Sequence, residues 1–159
     1  MVPKKGKSHV LRVVRELLYT EPERTGTSIK NALDYLLKVA KRKSVVFIIS
    51  DFLDGEYWSS LKVVNRKHDV IGIRLYDPAE TNMPDMGLAK VEDPETGETF
   101  WVDTSSRDAR DRLKKEIQDR QENFQKDARR IGFDLIPVAT DQDFVEPLMS
   151  FFRKREKRH

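Results

Sequence analysis

The chain contains no cysteine, so disulfides, zinc–thiolate sites and thiol nucleophiles are excluded. No apolar run approaches the roughly 18 residues that a membrane-spanning helix needs. The basic opening around Lys4, Lys5 and Lys7 is followed by Ser8-His9, not by the apolar core of a signal peptide. The sequence therefore reads as soluble and cytoplasmic. Histidines number three and are scattered, at His9, His68 and His159, and His68, just ahead of a strand, reads as a loop histidine rather than a general base. No Ser-His-Asp arrangement can be built from them, and no catalytic residue is assigned. Gly6-Lys7-Ser8 has the ending of a phosphate loop without its first glycine or a preceding strand, so it is set aside.

Charge is plentiful. Of 159 residues 36% are charged and 38% hydrophobic, against about 25% charged in ordinary domains. That favours solvated helices over disorder, because clear apolar runs remain. The net charge of +3 sits largely at the two ends, with Arg153, Lys154, Arg155, Lys157 and Arg158 closing the chain. A nucleic-acid binder concentrates basic residues on the fold itself, so basic termini are a weak pointer to nucleic acid.

The length suits one domain with a real core. Ser8 opens a helix with Val10, Val14, Leu17 and Leu18 at helical spacing. After a polar break from Thr20 to Gly26, Thr27 or Ser28 starts a second, with Ile29, Leu33, Leu36, Leu37 and Ala40 on one face. Val45-Val46-Phe47-Ile48-Ile49 predicts a strand buried on both faces. Tyr57 to Lys67 predicts a helix with Trp58, Leu61 and Val64 inward, and Val70 to Tyr76 a second strand. An irregular stretch with Pro78, Pro84 and Gly87 follows. Leu88 to Glu92 and Glu98 to Val102 flank the turn Asp93-Pro94-Glu95-Thr96-Gly97 and predict a hairpin, with Trp101 exposed. Ser105 and Asp108 mark a capping box for a long helix that Gly132 ends. Phe133 to Val138 is the third core strand. Asp143 to Arg155 is the last helix, with Phe144, Leu148, Phe151 and Phe152 inward. Strands alternating with helices imply right-handed crossovers and a parallel sheet, extended by the hairpin. The fold class is thus three-layer, Rossmann-like α/β.

Ligands of open parallel sheets bind beyond the C-terminal strand ends. The side chains reaching that rim are Ser50 and Asp51, then Asp77, then Thr140, Asp141 and Asp143, with Thr27 near the same crevice. Carboxylates and hydroxyls without histidine or cysteine suit a hard cation such as Mg²⁺. The same aspartates suit turns and helix caps, above all Asp77, Asp141 and Asp143.

Thr25-Gly26-Thr27-Ser28-Ile29-Lys30-Asn31-Ala32-Leu33 resembles the Gly-Thr-x-x-x-x-Ala-Leu segment of von Willebrand factor A domains, and the strand ending in Ser50-Asp51 resembles their Thr/Ser-Asp loop. Further stretches, from Ser44 to Asp54, His68 to Pro78, Glu92 to Glu98, Val102 to Ser105 and Thr140 to Arg153, are similar to a bacterial group called domain of unknown function 58. That group is von Willebrand factor A-like and is encoded beside MoxR-type AAA+ ATPases. The resemblance implies a partial von Willebrand factor A fold. It carries two loops of a metal-ion-dependent adhesion site onto Thr27 and Asp51, with Ser50 adjacent. The first ligand loop, Asp-x-Ser-x-Ser, has no counterpart: Asp103-Thr104-Ser105-Ser106-Arg107 follows a hairpin and ends in arginine. The expectation is a single domain over 1–159, truncated before its first strands, with weak Mg²⁺ binding at best. The strand Val45 to Ile49, central in the full family fold, then becomes an apolar edge that invites a homodimer. The resulting expectation is a protein-interaction module working with a MoxR-type ATPase. The competing ones are a Mg²⁺-dependent phosphoester hydrolase using Asp51 and Asp77, and nucleic-acid binding through the termini.

Overall fold

The computed structural model describes residues 5–20, 26–81, 84–92 and 98–157. The turn Asp93–Gly97, most of the break between the first two helices, and Lys4 and Arg158 lie outside the described residues. Helices α1 (Lys7–Tyr19) and α2 (Ile29–Val39) precede strand β1 (Val45–Ser50). Helix α3 (Trp58–Lys67), strand β2 (Asp69–Tyr76) and the short helix α4 (Pro78–Thr81) follow, the last where an irregular stretch is expected. Strands β3 (Leu88–Glu92) and β4 (Thr99–Asp103), helix α5 (Arg107–Ile131), strand β5 (Asp134–Ala139) and helix α6 (Val145–Glu156) complete the chain. No helix among the described residues is long and apolar enough to cross a membrane.

The strands order as β1-β2-β5, all parallel, with Val45 opposite Asp69 and Ile71 opposite Asp134. On one face lies the larger core. Ile29 and Leu33 of α2, Leu61 and Val64 of α3, and Ala128 of α5 pack there on Val70 and Phe133. On the other face Ile71, Ile136 and Val138 meet Leu148 and Phe151 of α6. This is the expected three-layer, Rossmann-like α/β arrangement. The hairpin departs from expectation: β3 and β4 form their own two-stranded antiparallel sheet and do not extend the parallel one. Thr104, almost wholly buried, stitches it, accepting from Met86 N at 2.9 Å and donating to Gly87 O at 2.7 Å. Trp101 is exposed on it, as expected.

Local chemistry explains the boundaries. Ser28 caps α2 by accepting from Asn31 N at 3.3 Å. Ser106, not Ser105, caps α5, because Ser105 is turned back onto Asp103. Gly132 ends α5 at φ 64°. Gly72 is required by close approach: an added Cβ would lie 2.5 Å from Phe133 Cζ.

Three expectations need correction. Strand β1 is not buried on both faces. Val46 and Ile48 pack inward, while Val45, Phe47 and Ile49 are 59%, 48% and 63% exposed, because α6 lies over β2 and β5. Phe144 and Phe152 do not face in; both are exposed, although Phe152 touches the Phe47 ring edge at 6.3 Å. His68 is not a loop histidine but the buried C-cap of α3, with neither ring nitrogen hydrogen-bonded among the described residues.

Candidate functional site

The C-terminal ends of the three parallel strands bring the expected rim together. Ser50 ends β1 and Asp51 follows it, Asp77 follows β2, and Thr140, Asp141 and Asp143 follow β5. Thr27 and Ser50 line one groove of about 410 Å³ between α2 and β1, whose walls are Leu33, Leu36, Val46 and Ile48. So the threonine and the strand end line the same, mostly apolar groove.

The loop from Ser50 to Asp54 is held by its own side chains. Ser50 Oγ accepts from Phe52 N at 3.1 Å and donates to Asp51 Oδ1 at 3.3 Å. Asp51 Oδ1 also accepts from Leu53 N at 3.1 Å. Phe52 adopts φ 62°, a left-handed conformation that a bulky residue rarely takes. Packing holds it there: its ring is buried against Tyr57, Phe124 and Phe133, with centroids 5.3 to 6.0 Å away. Tyr57 donates its hydroxyl to Phe52 O at 3.4 Å, and burial pushes that hydroxyl's pKa well up. Asp54 Oδ2 then accepts from Ile29 N at 2.8 Å, so the loop after β1 caps α2. This contact ties the loop that carries Asp51 to the start of α2, and the sequence does not show it. An aspartate in a loop is a local signal, whereas its partner lies 25 residues away.

The other rim carboxylates serve their own backbone. Asp77 Oδ1 accepts from Ala79 N, and Asp143 Oδ1 from Val145 N, both at 2.8 Å. Asp141 is exposed in the turn after β5 and makes no such bond among the described residues. Near Thr27 the oxygen groups are therefore the carboxylates of Asp54 and Asp51, each holding a backbone amide, and the hydroxyls of Thr27 and Ser50. No group of three His, Cys, Asp or Glu able to hold a metal occurs among the described residues. Mg²⁺ demands near-octahedral oxygen ligation, usually anchored by one or two carboxylates plus substrate phosphates. Asp51 and Asp54 each spend a carboxylate oxygen on a backbone amide, and no third carboxylate joins them among the described residues, so these residues do not fit the ion.

The groove lies beside the outer edge of β1. Ser44 O accepts from Asp69 N, so 44, 46, 48 and 50 turn their peptide groups toward β2. Val45, Phe47 and Ile49 turn theirs outward, where no described strand meets them.

Comparison with known proteins gives two findings. A family model described as "Protein of unknown function DUF58" matches residues 1–123. An uncharacterized protein of Mycobacterium avium is 28% identical over 132 residues, covering 81% of the chain and 76% of the relative. Uncharacterized proteins of Mycobacterium tuberculosis and Mycobacterium bovis are 27% identical over 129 residues. The match covers 79% of the chain but only 40% of those longer relatives. No solved structure gives a significant match.

Proposed function

The chain belongs to the DUF58 family, whose description names no activity, and from its geometry we propose a protein-interaction module that takes up an extended apolar strand along β1. One observation carries the reading. An uncharged strand, Val-Val-Phe-Ile-Ile-Ser, leaves the peptide groups of Val45, Phe47 and Ile49 outward beside an apolar groove. Strand addition draws affinity from main-chain hydrogen bonds and specificity from pockets for alternate side chains. The groove between α2 and β1 is such a pocket, with Thr27 and Ser50 as polar groups in its lining.

A second copy of the chain fits this edge. Antiparallel pairing about a two-fold axis at Phe47 sets Val45 opposite Ile49 of the other copy. No like charges meet, and two three-stranded sheets become one of six strands. The family resemblance adds a MoxR-type AAA+ ATPase as the other protein to offer this surface. Sedimentation velocity over a concentration series tests the proposal. A monomer–dimer equilibrium that Phe47→Lys abolishes is the expected result. A monomer at every concentration that also fails to bind the ATPase would overturn it.

A further inference from the structure

The opposite edge of the sheet carries a second groove, independent of β1. It wraps β5 between α5 and α6, encloses about 350 Å³, and falls within the size range of small-ligand pockets. Its apolar lining comes from Phe124 of α5, Phe133 and Leu135 at β5, and Phe151 of α6. Around these lie Arg74, Arg129, Lys154 and Arg155, against a single lining carboxylate, Asp134.

The four cations differ in their commitments. Arg155 is bound to Asp69 and lies 3.8 Å from Asp134. Arg74 stacks over the Phe124 ring at 5.3 Å. Arg129 and Lys154 are exposed and form no ion pair among the described residues. Cations near the ends of α5 and α6 also offset the helix dipoles, which needs no cavity. That explanation does not reach Arg74, which stands mid-strand in β2 opposite Pro137 and faces the same groove.

The edge also restricts what can occupy it. Thr140 N donates to Tyr76 O, so even-numbered residues of β5 face β2 and odd-numbered ones face outward. Pro137 is outward and has no N–H, so an added strand would lose a ladder bond at its centre. A long peptide is disfavoured here and a compact ligand favoured.

We propose that this groove binds a small free carboxylic acid with an apolar, ring-sized body. The carboxylate meets Arg129 and Lys154, and the body rests against Phe124 and Phe151. Amide shifts of Leu135, Ala139 and Gln125 in ¹⁵N-labelled protein, titrated with 3-phenylpropionate, read the binding. The neutral amide 3-phenylpropionamide and acetate should each bind at least about tenfold more weakly, as loss of a charged hydrogen bond or of the apolar body requires. Arg129→Ala with Lys154→Ala, both exposed, should weaken 3-phenylpropionate about tenfold while leaving circular dichroism unchanged. Equal binding of acid and amide, equal binding of acetate, or no shift at these amides would overturn the proposal. So would binding of an acetyl-Ala-Ala-Phe acid without binding of 3-phenylpropionate, since that would identify a polypeptide terminus instead.

Discussion

Two single residues fix how neighbouring elements meet. Asp54 joins the loop after β1 to the start of α2 through a 2.8 Å bond to Ile29 N. Its replacement by alanine should cost about 1 kcal/mol, the usual loss for a helix cap, read as a lower urea midpoint at unchanged slope. Gly72 is the second. Because a Cβ there would meet Phe133 and Leu135 inside 3 Å, Gly72→Ala should destabilise by about 1–3 kcal/mol through overpacking. Asp34 supplies a pH signature. Its carboxylate accepts from Lys30 Nζ and from Ser60 Oγ of α3, both at 2.8 Å, and these bonds hold its pKa below the ordinary 3.8. A depressed folded pKa means that the contribution is present above pH 3.8 and lost as pH falls through the lower folded value. Asp34→Asn should flatten that part of the acid-unfolding curve, and an unchanged curve would show that the α2–α3 clasp is not felt. The rim aspartates were legible as residues, Asp51, Asp77 and Asp143 each following a strand. Their capping partners were legible only where they lie two residues away, and Asp54 has a partner far along the chain.

Among the elements, α1 stands apart. It is amphipathic, yet it buries none of its residues, and Val10, Leu11, Val14, Leu17 and Leu18 are all exposed. An isolated helix of 13 residues is marginal in water, since packing supplies most helical stability. Its amides should exchange with deuterium faster than those of α2, α3 or α5, and protection equal to theirs would contradict the described packing. Helix α6 behaves differently: Arg155 reaches Asp69 at the start of β2 and Asp134 at the start of β5. With the guanidinium about a quarter exposed, Arg155→Met should cost about 1–2 kcal/mol in chemical unfolding. Helix and strand identities followed from periodicity over most of the chain. The exceptions are instructive. Ser105 and Ser106 are adjacent and equally good caps, and only the Asp103 side chain, by claiming Ser105, decides between them.

At the scale of the whole molecule the two sheet edges are unlike. Edge strand β5 carries Pro137 in mid-strand, which blunts it against pairing, whereas β1 has neither proline nor charge. If β1 is the adhesive edge, Ile49→Lys should suppress self-association as Phe47→Lys does, at little cost to monomer stability because both side chains are exposed. Analytical ultracentrifugation beside urea unfolding separates the two effects. A variant that stays dimeric would move the interface elsewhere.

The sequence by itself determined the α/β class, the order of parallel strands and helices, the exposed Trp101 and the end of α5 at Gly132. These depend on period, turn chemistry and backbone freedom within a few residues. Only the tertiary structure decided which apolar residues stay in water, that the hairpin stands apart from the main sheet, that His68 is buried, and that Asp54 serves α2. Each depends on what a second, distant segment covers. An apolar strand looks the same in sequence whether or not a helix lies across its outer face.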